Sequence, residues 1–143
     1  MSIKIALVHY LLSQAAVKRH VGTRIFWGQL PQGQASPAIT CEKVGGTPTA
    51  HQGGAASAAS SRIQVSCWSK SPKEAEAVKE AVRLSLVGFQ GNLGPPGGQV
   101  AVLMIEHAGD YDGFEADRSG GPGGINEVAI DLNIWHRQPV PSF

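Results

Sequence analysis

The sequence predicts an α+β fold in which one mostly antiparallel sheet of about five strands packs against two helices, in the order α-β-β-β-α-β-β. Three observations carry this. In residues 62–68, Ile63, Val65 and Cys67 alternate with Arg62, Gln64, Ser66 and Trp68, the two-residue period of a half-buried strand. Residues 71–88 follow at once with a helix signature. Ser71 and Glu74 form a capping box, Pro72 stands where a missing N–H costs nothing, and Gly88 closes the segment. Near the C-terminus Val128, Ile130, Leu132 and Ile134 alternate with Ala129, Asp131, Asn133 and Trp135, the cleanest strand pattern in the chain.

Taken in order, the first element is a helix. Ile3, Leu7, Tyr10, Leu11 and Gln14 lie along one face, while Ile5, Val8, Leu12 and Ala15 cover much of the other. A helix apolar on most of its circumference is buried on more than one side, in the core and partly against another subunit. Val21-Gly22-Thr23 turns the chain into a short strand, Arg24-Ile25-Phe26-Trp27, and after a proline-containing loop residues 38–44 alternate again. Residues 45–61, GGTPTAHQGGAASAASS, contain almost nothing that fills a core, and are expected to form the long tip of a hairpin. Such a loop serves either as an interaction loop ordered by a partner or as a tolerated insertion. In the second helix Ala75, Val78, Ala81, Val82, Ser85 and Leu86 form the buried stripe, with Lys73, Glu76, Lys79, Glu80 and Arg83 outside it. Residues 91–98 read as a kinked connection, 99–105 as an interior strand apolar on both faces, and 108–124 as a third loop holding Asp110, Asp112, Glu115 and Asp117. Residues 138–143, with Pro139 and Pro141, cannot continue a sheet and are expected to leave the domain as an extended arm tipped by Phe143.

At 143 residues the chain fits one domain, assigned to residues 1–137. Its net charge of +1 excludes the broad basic surface of a non-specific nucleic-acid or membrane-surface binder. The N-terminal apolar run is too short and too interrupted for a signal peptide, and no segment reaches the roughly twenty apolar residues of a membrane span, so a soluble intracellular protein is expected. Cys41 and Cys67 fall in strand-like runs as buried thiols, with a disulfide between paired strands as the alternative.

No catalytic constellation is present in the sequence. His9, His20, His51, His107 and His136 share no metal-ligand spacing. Asp110-Tyr111-Asp112-Gly113 matches part of a calcium loop, but Glu115 comes too early to close one, and Pro122 removes an amide that a phosphate loop would use. Neither an enzyme nor a cofactor is expected. What remains is aromatic surface: Trp68 and Trp135 lie on the polar side of their strands, either as interface anchors near one another if the strands are neighbours, or beneath a covering loop.

The order of several short motifs resembles the tail-completion, or tail-terminator-like, proteins of long-tailed bacteriophages and prophages. They are VGTRIF (residues 21–26) leading to LPQ (30–32), SPAI (36–39), RIQVSCW (62–68) with Glu74-Ala75 and Ala81-Val82-Arg83, then Glu106, the Asp110 to Asp112 segment and the closing IDLNIW (130–135). The Gly/Ala/Ser loop and the glycine-rich residues 119–124 depart from that pattern. The resemblance implies a virion protein whose subunits form a ring, usually sixfold, that caps the head-proximal end of the tail tube. Its partners would be itself, the tail tube protein and the head-completion or connector proteins, with DNA passing through the lumen unread and no membrane involved. Expected interface residues are Trp68, Trp135, His51, Phe143, Asp110 and Asp112. The alternatives are a head-side connector or stopper subunit and, in a different class, a small intracellular ligand-binding domain.

Overall fold

The structure is a computed structural model and describes residues 3–31, 33, 35–48, 57–97, 99–116 and 124–138. Among the described residues three helices and six strands follow one another as α1 (Ile3–Ser13), α2 (Ala15–Val21), β1 (Ile25–Trp27), β2 (Ala38–Pro48), β3 (Ser57–Ser69), α3 (Pro72–Leu86), β4 (Gly91–Leu93), β5 (Val100–Ala116) and β6 (Gly124–Gln138). The strands form one sheet in the order β1-β2-β3-β6-β5-β4, antiparallel except for the parallel β1/β2 pair. The α+β class stands as expected, and the differences lie in individual elements.

The first difference is a break in the N-terminal helix. Gln14 is extended (φ −89°, ψ 114°), and its carbonyl starts a new helix by accepting from Val17 and Lys18 at 3.1 and 2.9 Å. The break redirects the chain so that Val17 and Val21 of α2 reach the same core as Leu7 and Leu11 of α1. α2 then ends at Gly22, whose positive φ of 59° suits glycine and whose N–H closes on Lys18 O at 2.8 Å.

β1 and β4 are the two edges of the sheet, yet α1 packs against both. The sheet therefore wraps so that its edges approach the same helix, which explains why α1 carries apolar residues around most of its circumference. Ala6, Leu7 and Leu11 are fully buried. Tyr10 ties α1 to the next layer, donating to Ser85 O at 2.9 Å and meeting the Phe89 ring at 5.0 Å between centroids.

α3 lies on the same side of the sheet, across β3 and β6. Its buried stripe is the expected one without Ser85, namely Ala75, Val78, Ala81, Val82 and Leu86, packed with Ile63, Val65 and Cys67 of β3 and Ile130, Leu132 and Ile134 of β6; Ser85 is half-buried and donates to Ala81 O. Fully burying each large aliphatic side chain contributes about 1.5–3 kcal/mol relative to exposure. At the helix start Ser71 accepts from the Glu74 amide at 3.3 Å. The Glu74 carboxylate does not reach Ser71 directly. It accepts from the buried Ser69 hydroxyl at 2.6 Å, and that oxygen in turn accepts from the Ser71 amide at 3.1 Å.

The segments expected as loops are largely strand. In residues 45–61, β2 continues to Pro48 and β3 begins at Ser57, with Gly45 opposite Arg62 and Pro48 opposite Ala59 beyond a bulge. In residues 108–124, β5 runs to Ala116 and pairs through Gly124, with Tyr111 opposite Ala129 and Phe114 opposite Asn126. Ladder hydrogen bonds come from the backbone, so a glycine- and serine-rich strand pairs without an alternating pattern. The kinked connection at 91–98 contains the short edge strand β4. Gln138, expected in the arm, is the last residue of β6, and residues 139–143 lie outside the described residues. Among the described residues, no helix is long and apolar enough to cross a membrane.

Candidate assembly surface

With helices on one side, the opposite side of the sheet is built from cross-strand rows. One row runs Thr40, Ser66, Ala129, Tyr111; the next Glu42, Gln64, Asp131, Gly109; the next Gly45, Arg62, Asn133, Glu106. These side chains bond mainly across the sheet. Arg62 pairs with Asp131 at 3.1 Å, Ser66 donates to Glu127 at 2.6 Å, and the indole N–H groups of Trp68 and Trp135 donate to Thr40 Oγ1 at 2.8 Å and Glu106 Oε1 at 2.6 Å. Glu42, Glu106, Glu127 and Asp131 against Arg62 and Arg137 leave this face acidic on balance. Asp131 Oδ1 is buried and lacks a hydrogen-bond partner, although its carboxylate keeps the ion pair through Oδ2.

Trp68 and Trp135 both occupy this face, half-buried, on the neighbouring strands β3 and β6. Their expected proximity is corrected by the register. Trp68 stands opposite Glu127 whereas Trp135 stands opposite Ser60, so the indoles sit at opposite ends of the strands, roughly 26 Å apart at about 3.3 Å per residue. Alternation assigns a face; only register assigns a position along it.

Asp110 and Asp112 occupy the other side of β5, where they alternate with Tyr111 and Gly113. Asp110 is bound within the chain: Lys79 of α3 approaches at 3.6 Å and His107 at 3.0 Å. Desolvation acts to raise the Asp110 carboxyl, but the bonds from His107 and Lys79 outweigh it and hold it below the usual range. Burial likewise acts to lower the Lys79 ammonium, and Glu76 with Asp110 carries it upward instead. This bridge fastens the β5–β6 hairpin to α3. Asp112 is exposed beyond it. His51 and Phe143 lie outside the described residues, as does Asp117.

Two features have little signature in the sequence. Phe114, 64% exposed, projects from the helix side of β5 on the same face as Asp112. On α1 and β1, Lys4, Ile5, Val8 and Trp27 line a shallow groove of about 250 Å³, with the Lys4 ammonium 5.3 Å from the Trp27 ring centre. Periodicity places Ile5 and Val8 on the second apolar side of α1 but does not bring Trp27 beside them; Phe114 sits in an acidic stretch with no such signal.

Two buried groups remain. Ser61 and His136 meet at 2.8 Å, and His136 Nδ1 lies 3.2 Å from Arg137 O. A carbonyl can only accept, so Nδ1 carries the proton and Nε2 accepts from the Ser61 hydroxyl. Burial holds this imidazole below its ordinary range, the Arg137 carbonyl acting in the opposite direction. With Ser61 2% exposed, the pair is a satisfied polar contact at the rim of the core. Cys41 and Cys67 are free and buried on adjacent strands, Cys41 opposite Val65 and Cys67 opposite Ile39. Burial raises the Cys41 thiol to about 12, and burial with the neighbouring Cys41 raises Cys67 as well. Such thiols are inert packing groups. Among the described residues, no group of three His, Cys, Asp or Glu side chains could hold a metal ion.

The family model described as tail completion protein gp17 matches residues 5–113, from α1 into the outer arm of β5. The chain belongs to the tail completion protein gp17 family. It is thus a structural protein of the phage tail. No curated protein matches this tail completion protein. Among solved structures, a chain from the virion of a native gene transfer agent (GTA) particle is similar over 96% of each chain, with a TM-score of 0.76 and 14% identity. At that identity the likeness is one of fold.

Proposed function

We propose that this tail completion protein is a ring-forming tail terminator: about six copies cap the head-proximal end of the tail tube, contact the head-completion proteins and let DNA pass through the lumen. The observation that carries the reading is the family match across residues 5–113, which takes in β1 to β4 and β5 as far as Gly113. The similar fold in a virion particle is consistent with a place in the virion. The acidic side of the sheet supports the lumen part of the reading. Each neutralised phosphate would add a salt-dependent attraction that holds the duplex in place. A face bearing Glu42, Glu106, Glu127 and Asp131 against Arg62 and Arg137 is acidic on balance and offers a duplex little such attraction. The Trp68 and Trp135 rings, the residue 49–56 segment and the C-terminal arm are assigned to contacts with neighbouring copies and with the tube or connector.

Native mass spectrometry of the purified protein, alone and mixed with the cognate tail tube protein, tests this. The expected species is a closed ring of six, alone or bound at tube ends. Monomers or dimers at all concentrations, with and without tube protein, would contradict it.

A further inference from the structure

A closed ring needs two different surfaces on each copy that fit one another, because a head-to-tail contact leaves one of each free until the ring closes. On this chain, two surfaces have that relation. Phe114 projects from the β5–β6 hairpin beside Asp112, beyond the point where Lys79 fastens Asp110 to α3. The groove of Ile5, Val8 and Trp27 lies on α1 and β1 and is edged by one cation, Lys4. Its volume of about 250 Å³ accommodates an aromatic ring, since a cavity of about 150 Å³ takes benzene. Within one chain the two cannot meet: α1 contacts β4, which pairs with the start of β5 at Val100–Val102, while Phe114 is near the far end of that strand.

Resting on the ring reading above, we propose that Phe114 of one copy seats in the Ile5–Val8–Trp27 groove of the next, with its Asp112 carboxylate facing Lys4. The aromatic ring supplies the buried anchor and the ion pair supplies orientation. Among the described residues neither Asp112 nor Lys4 has an ion-pair partner, Lys4 lying only over the Trp27 face, so both charges are open to a partner at the rim. The acidic neighbour also disfavours a symmetrical contact in which two Phe114 arms meet each other.

The test combines cross-linking with assembly measurements on the full chain. Lys4→Cys and Asp112→Cys variants, mixed and treated with a short bismaleimide, are expected to give covalent dimers that neither variant gives alone. The double variant is expected to give a ladder up to the ring size, with buried Cys41 and Cys67 silent. Phe114→Ser should raise the concentration of half-assembly in sedimentation velocity about tenfold or more. Lys4→Glu should weaken assembly, and Asp112→Lys in the same chain should restore it. If the wild type forms rings but the mixture gives no cross-link and Phe114→Ser assembles normally, this contact is wrong and the ring reading stands. A wild type that assembles neither alone nor with the tube protein overturns both, and a cross-linked species that stops at a two-fold dimer overturns the head-to-tail geometry.

Discussion

Replacing Leu11 with alanine separates the two roles combined in α1. Leu11 is fully buried in the core formed where the sheet wraps round this helix, whereas Ile5, two turns earlier, is 53% exposed. Truncating a buried leucine costs about 2–5 kcal/mol, from lost transfer energy and the cavity left behind. An unfolding entropy of about 2.1 cal/mol/K per residue gives a chain of this length roughly 0.3 kcal/mol/K, so each kcal/mol lowers Tm by about 3 °C. Leu11→Ala should therefore lose about 6–15 °C. Ile5→Ser, outside the core, should stay within about 2 °C. Thermal melts followed by circular dichroism, at a concentration below assembly so that mass action does not shift Tm, provide the readout. A loss under 3 °C for Leu11→Ala, or an equal loss for both variants, would refute the packing of α1 between β1 and β4.

Ser69→Ala should cost about 1–2 kcal/mol, because it removes the hydroxyl that links Glu74 to the Ser71 amide; a melt unchanged within 1 °C would show the relay to be dispensable. Trp68→Ala should weaken assembly about tenfold or more while lowering the subunit Tm by less than Leu11→Ala does; normal assembly with a large Tm loss would place Trp68 in the fold instead. Because burial depresses the His136 imidazole, the unfolded chain takes the proton first. Stability is full above the unfolded value of about 6.5 and is lost as pH falls through the lower folded value. Urea titrations from pH 7 to 4.5 should show this loss in the wild type and a flatter profile in His136→Gln, and identical profiles would remove His136 as its source.

Sequence made the strands and helix around Ile63, Val78 and Ile130 legible because each has one buried face, and a buried face imposes a period. Where both faces are exposed the period vanishes, as in the arm with Asp110, Tyr111, Asp112 and Phe114, so a paired strand read as a loop. In the Gly/Ala/Ser arm of β3 Ala59 and Ser61 are buried, but side chains this small show no apolar/polar alternation for a period to reveal. Gln14 breaks the first helix without a glycine or proline, under the demand of packing Val17 and Val21. The separation of Trp68 from Trp135 was out of reach of alternation, since it depends on which residues stand opposite one another. Of the candidate surface, the two tryptophans and the two aspartates were visible as residue types, while the groove on α1 and β1 exists only once the strand follows the helix in space.

Electron micrographs of particles from a strain lacking this protein test the central claim most directly. A ring that terminates the tail and joins it to the head predicts filled heads accompanied by separate tails of irregular length. Emptied heads beside tails of uniform length would contradict termination and assign the protein to the head side as a stopper.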